Sequence, residues 1–154
     1  MSKVWKFRLK AAALIAIFGG YVVLPNGMGP TPAFAQTNGV TFPKLVEMVK
    51  YTNIQRGEKL EEMFATPAAI AILKNSKPLP TGTQVVLVEH MRGKPFRYLV
   101  AQKMGEGKHE WKYQSFLPDR SIQKDENPAR CFSCHQSRQD QQYMHTLSDA
   151  QRFK

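Results

Sequence analysis

The chain has 154 residues, with 22 Lys and Arg against 12 Asp and Glu and a formal charge of +10 at pH 7. Its basic residues are scattered among acids, without an Arg/Lys-rich run interleaved with aromatics, and this excludes the usual signature of a nucleic-acid-binding surface. A moderately basic surface of this kind suits an acidic protein partner, or the anionic groups of a bound cofactor.

The N-terminal residues carry a separate message. Lys3, Lys6, Arg8 and Lys10 precede the apolar run Ala11–Leu24, and Ala33-Phe34-Ala35 places small residues where a signal peptidase reads them. The run is shorter than the roughly 20 residues a membrane-spanning helix needs. Residues 1–35 therefore read as a signal peptide cleaved after Ala35, and the membrane enters this reading only if that segment stays uncleaved. Cleavage leaves residues 36–154, which carry a charge of +6. That length suits a single domain with one core, and the expected location is the periplasm.

Along the mature chain, Phe42, Leu45, Val46 and Val49 recur at helical spacing and predict an amphipathic helix over 41–53. Thr66 and Pro67 read as the cap and first turn of a second helix reaching Asn75, which Pro78 and Pro80 follow. The period then changes. Residues 82–91, 96–104 and 110–116 are rich in β-branched and aromatic residues or alternate cleanly, with turn signals at Gly93-Lys94-Pro95 and Gly105-Glu106-Gly107. Such short connections predict an antiparallel sheet, because parallel pairs need long crossovers. Asn127-Pro128 reads as the start of a short C-terminal helix. The fold class is α+β.

That last helix holds both of the chain's cysteines, in Cys131-Phe132-Ser133-Cys134-His135. C-x-x-C-H is the attachment signature of c-type haem: thiols one helical turn apart reach the two vinyl groups, and the next residue supplies the proximal imidazole. Chance occurrence in a chain this long is on the order of one in a thousand. A thioredoxin-like motif would need a βαβ context, and a structural zinc site a second ligand pair. His90, His109 and His145 do not provide one. One covalent haem c, held by Cys131 and Cys134 with His135 as iron ligand, is the expectation, and export agrees with it.

Three blocks, "LPTGTQVVLVEH" from Leu79, "EWKYQSFLPD" from Glu110 and "CFSCHQSRQDQQYM" from Cys131, resemble in their order the cytochrome P-460 and cytochrome c′-beta family. The resemblance covers about residues 64–147. It implies a curved antiparallel sheet packed with helices, one c-type haem on the C-terminal helix, and a distal face made by the sheet. P-460 members oxidise hydroxylamine and cross-link a strand lysine to the haem. Here that position falls at Leu87, or at Val88 if the strand is bulged, and the family's distal arginine falls near Glu61. The c′-beta members bind gases such as nitric oxide over an apolar wall, and this branch fits the sequence better.

Phe64, Leu87 and Phe96 are the residues expected to form that wall. Met63, Met91, Met104 and His90 are the candidate sixth ligands, and Met144 and His145 suit the proximal side. Arg130, Arg138 and Lys124 flank the haem segment and suit haem propionates. Glu89 and Asp140 match family positions, where a strand-end carboxylate and a helix-end hydrogen-bonder explain them equally well. The sequence thus reads as an exported monohaem protein that binds a small gas or exchanges single electrons with a redox protein, and only secondarily as an enzyme oxidising hydroxylamine. In the enzyme reading Lys94 or Lys103 would replace the missing cross-link. A homodimer through the sheet edge is compatible with either.

Overall fold

The computed structural model describes residues 38–154, so the expected signal peptide lies outside the described residues. Strands β1 (Val49–Arg56), β2 (Lys59–Ala65), β3 (Gln84–Met91), β4 (Lys94–Lys103) and β5 (Trp111–Phe116) form one open sheet in chain order. Each strand is antiparallel to its neighbours. Helices α1 (Pro67–Lys74), α2 (Pro128–Gln136) and α3 (Leu147–Arg152) complete an α+β architecture.

Strand β1 stands where the sequence pattern indicates a helix, and β2 where it indicates no element. Instead of a helix over 41–53, the chain runs extended behind the sheet, makes one 3₁₀ turn at Leu45–Glu47, and enters β1 at Val49. Val46, a member of the supposed helical stripe, is 96% exposed. Phe42, Leu45 and Met48 pack on the back of the sheet, while Val49 lies on the opposite side, so the apparent period joins residues that serve two different cores. Gly57, at φ +61°, turns β1 into β2, and this pairing overrides local helical spacing. The β3–β4 turn is Arg92-Gly93, both at positive φ as a two-residue I′ turn requires, so Lys94 and Pro95 already belong to β4.

Where sequence signals were strong, local structure follows them. The Thr66 hydroxyl accepts from the Ala69 amide at 3.2 Å and caps α1, with Pro67 in the first turn. The Asn127 side chain accepts from the Ala129 amide at 3.0 Å and caps α2 in the same manner, again before a proline.

Strand alternation then sorts the apolar residues to two faces. On the back, Val86, Val88, Val100 and Phe116 pack beneath Val40 and Phe42. On the front, Ala65, Trp111 and Tyr113 meet α1 residues Ile70 and Leu73 together with Tyr143 and Met144. Helix α2 lies against β5, and α3 against α1 and β1.

Candidate functional site

The front of the sheet does not close on the helices everywhere. Between them lies a cavity of about 520 Å³, within the range of small-molecule and cofactor sites. Cys131, Cys134 and His135 all line it from α2. The opposing wall is the sheet itself, where Met63, Leu87 and Leu99 are in register across β2, β3 and β4.

His135 is held by an unusual piece of backbone. Its Nδ1 lies 2.5 Å from the carbonyl oxygen of Tyr143. A carbonyl has no proton to give, so Nδ1 carries the hydrogen and Nε2 keeps its lone pair. That is the tautomer a metal-ligating imidazole needs, with the outer nitrogen donating to a backbone carbonyl. Burial pushes the His135 pKa down and His145 adds to that, while the Tyr143 carbonyl opposes it, so the neutral ring dominates at neutral pH.

The carbonyl is aimed by Gln142 and Tyr143, consecutive residues at φ +55° and +60°. Two non-glycine residues in the left-handed region cost about 1–3 kcal/mol each and persist only where surroundings hold them. Those surroundings are visible. Gln142 donates from Nε2 to the Lys77 carbonyl at 3.0 Å and accepts from the Leu79 amide at 2.8 Å. The Tyr143 ring is 2% exposed, packs on Phe132, and its hydroxyl is hydrogen-bonded to His109 Nδ1.

Other groups complete the walls. The Tyr113 ring lies 4.7 Å from the His135 ring, and its buried hydroxyl has no hydrogen-bond partner. Burial, with the Cys131 thiol next in effect, pushes the Tyr113 phenol well above its ordinary range. Tyr51 is buried in front of the sheet, where its hydroxyl pairs with Thr146 at 2.7 Å; burial pushes its pKa up to about 12. The two cysteines are free. Burial raises the Cys131 thiol, and Glu126 adds to that. His145 lies on the same side, its Nε2 3.8 Å from the Cys134 sulfur and its Nδ1 accepting from Arg138 at 3.3 Å.

A polar ladder ties the sheet to the segment that leads into α2. Glu89 is buried between Lys59, at 2.7 Å, and Arg97, which also reaches Glu126 at 3.0 Å. Burial alone would raise the Glu89 pKa, but the hydrogen bonds from Arg97 and Lys59 outweigh it and hold the carboxyl below the usual range.

The residues nominated for an apolar distal wall separate in space. Leu87 lines the cavity. Phe64 does not, because it pairs with Val86 and packs into the back core, one residue out of phase with Met63. Phe96 is 51% exposed, since the shift in β3–β4 register after Glu89 leaves it as the bulged residue between Pro95 and Arg97. Of the candidate sixth ligands, Met63 reaches the cavity. His90 instead lies 3.0 Å from Glu62, Met91 sits exposed at the hairpin end, and Met104 meets Gly39. Met144 and His145 are cavity residues. Arg130 and Lys124 are exposed, and Arg138 is engaged with His145.

Sequence reasoning missed the Tyr143 carbonyl, the Tyr113 hydroxyl, and the pair formed by Arg56 and Glu61 at 3.2 Å on the cavity's rim. The residues present fit a haem c. Two free thiols and an imidazole with its metal-binding nitrogen unprotonated share one wall, an apolar sheet faces them, and a buried hydroxyl is orphaned beside them. Among the described residues no cluster of three or more metal-ligating side chains exists, and haem iron requires none, since its porphyrin supplies four nitrogens. Compared with known proteins, the chain matches no family model and no curated protein.

Proposed function

We propose that this chain is an exported monohaem c-type cytochrome of the P-460 and c′-beta kind. In this reading haem c is bound through Cys131 and Cys134 and ligated by His135, and the protein captures a small neutral gas such as nitric oxide or passes single electrons. The observation that carries the reading is the convergence of both thiols and the imidazole on one cavity, with Nδ1 of that imidazole already committed to the Tyr143 carbonyl. Haem bound there would supply a one-electron redox centre able to take up a diatomic ligand.

The chain's own residues favour a neutral ligand. Met63, Leu87 and Leu99 offer no hydrogen bond, so this wall penalises a charged occupant more than an uncharged one, and the Arg56–Glu61 pair at the rim is neutralised within itself at 3.2 Å. Hydroxylamine oxidation of the P-460 type has less support. On the resemblance, the cross-linking lysine's position falls at Leu87 or Val88, neither of which can form that bond, and among the described residues no lysine lines the cavity. Lys103 is buried with its amine on the Gly107 carbonyl, and Lys94 lies at the hairpin turn.

Optical spectra of the purified protein, oxidised and reduced, with and without nitric oxide, test the reading. A ferrous spectrum that changes on adding the gas supports gas capture, and a ligand-inert six-coordinate spectrum leaves electron transfer. Colourless exported material overturns the haem reading, and turnover of hydroxylamine with an artificial oxidant favours the enzyme.

A further inference from the structure

Gln142 does not line the cavity, yet it begins the left-handed pair of residues that presents the Tyr143 carbonyl to His135. We infer that Gln142 is a positioning residue that sets the strength of the hydrogen bond on the axial imidazole and thereby tunes the iron, an inference that rests on the haem reading above. His135 leaves α2 one residue before its end, and the chain returns to it only through the turn that follows Gln139–Gln141. That turn presents the Tyr143 carbonyl to Nδ1 because Gln142 and Tyr143 are both left-handed. The preference of glutamine and tyrosine for other conformations works against this arrangement. What opposes that preference is the pair of hydrogen bonds that the Gln142 side-chain amide makes, donating to the Lys77 carbonyl and accepting from the Leu79 amide, in the connection between α1 and β3.

The amide uses both its donor and its acceptor, so it fixes position and orientation together, as a single bond would not. Tyr143 adds an anchor at its ring end through its hydroxyl on His109, and within the turn the Tyr143 amide donates to the Arg138 carbonyl at 2.8 Å and the Met144 amide to the Gln141 carbonyl at 3.0 Å, but these last two bonds stay within residues 138–144 and do not tie the turn to the rest of the fold. Gln142 is therefore the side-chain contact that fixes the backbone of this turn, and with it the Tyr143 carbonyl, to the connection between α1 and β3.

The electronic consequence has a definite sign. A strong Nδ1–H to carbonyl bond places negative charge on the ring, makes Nε2 a better donor, and stabilises the oxidised iron. Loosening the turn weakens the bond, lowers the iron–histidine stretching frequency in the ferrous protein, and moves the reduction potential to more positive values.

The test compares the intact exported protein with Q142A, Q142E and Q151A. Alanine removes the side-chain bonds while leaving the left-handed position as unfavourable as before. Glutamate keeps the acceptor for Leu79 but loses the donor to Lys77, and it remains informative if the alanine variant folds poorly. Q151A removes a comparable brace, from Gln151 to the Leu73 carbonyl, that does not touch the 142–143 turn. The expected result is normal haem content throughout, a lowered iron–histidine frequency and a positive potential shift in Q142A, a smaller shift of the same sign in Q142E, and neither change in Q151A despite a similar loss of melting temperature. In the apoprotein, the Nδ1–H nitrogen and proton resonances of His135 should move upfield in Q142A, less in Q142E, and not in Q151A. Unchanged frequency, potential and resonances in a haem-loaded Q142A protein overturn the inference. Wild-type protein without haem overturns the underlying reading instead.

Discussion

Behind the sheet, Val86 and Val100 are sealed beneath Val40, Phe42 and Phe116, with Phe42 edge-on to Phe116 at 5.3 Å and to Tyr98 at 5.1 Å. In front of it, Leu87 and Leu99, their immediate neighbours in β3 and β4, face a cavity of about 520 Å³. The same two strands thus supply one close-packed layer and one that is left open. The front also carries two free thiols, the consecutive left-handed residues Gln142 and Tyr143, and the buried Tyr113 hydroxyl without a partner. Open packing and backbone strain are costs that a fold keeps where something else is to be bound. The back holds the sheet in shape so that the front can remain unfinished.

The comparison breaks most completely at the cysteines. Replacing both Cys131 and Cys134 by alanine should abolish covalent haem in exported material, read as loss of the porphyrin's contribution to the intact mass. Urea unfolding of the wild-type apoprotein and the variant should nevertheless agree closely, because neither cysteine is among the fully buried core residues. A large stability loss in the variant apoprotein would mean that the two faces are not separable in this way.

Phe116→Ala tests the other side. Phe116 is buried against Phe42 and the back-face valines, so truncation should cost about 3–5 kcal/mol, measured as a shift in the urea midpoint. The absorption spectrum of whatever remains folded should match wild type. A shifted spectrum would show that the sheet transmits strain from back to front.

The Glu89 ladder marks where the front is closed by charge instead of apolar contact. Because the folded Glu89 pKa lies below its ordinary value of 4.5, its stabilising contribution is complete above that value and is lost as pH falls through the folded pKa. Acid titration of the apoprotein should therefore show stability falling below about pH 4.5 as Glu89 takes up a proton and Lys59 and Arg97 lose their shared partner. In Glu89→Gln that acid-dependent share should be missing, with stability already lower at neutral pH, since Arg97 and Lys59 keep their charge beside a neutral amide.

How much of this the sequence reveals depends on what kind of signal each part sends. Helix α1 is legible from Thr66-Pro67 and the start of α2 from Asn127-Pro128, because caps act through adjacent residues. Strands β3, β4 and β5 are legible through their β-branched and aromatic runs. Strands β1 and β2 are not: "KLEEMFA" has no clean alternation, and Phe42, Leu45, Val46 and Val49 imitate a helix while serving two faces. In the site, the three residues proposed to hold haem, which the structure brings to one cavity, are picked out by their local spacing, which needs no tertiary knowledge. The wall residues do not, because Phe64 and Met63 exchange faces on a one-residue change of register that only the partner strand fixes. The Tyr143 carbonyl is invisible in principle, since every residue has one and only the left-handed turn makes it special.

Leu87→Ala is the smallest expected effect and the sharpest statement of the comparison. A leucine packed on all sides loses about 2–5 kcal/mol when cut to alanine, because the lost transfer energy is compounded by a new void. Leu87 already borders a void and is only half-buried, so the cavity term is largely absent and the apoprotein should lose about 1 kcal/mol. In the haem-loaded protein the same substitution should act on ligand capture instead, because it admits water to the wall opposite His135 and weakens the preference for an uncharged ligand. Nitric oxide association and the ferric spectrum would be compared between wild type and variant. A loss near the upper end of the packed-leucine range, with unchanged gas binding, would place Leu87 in the sealed core and erase the distinction between the two faces.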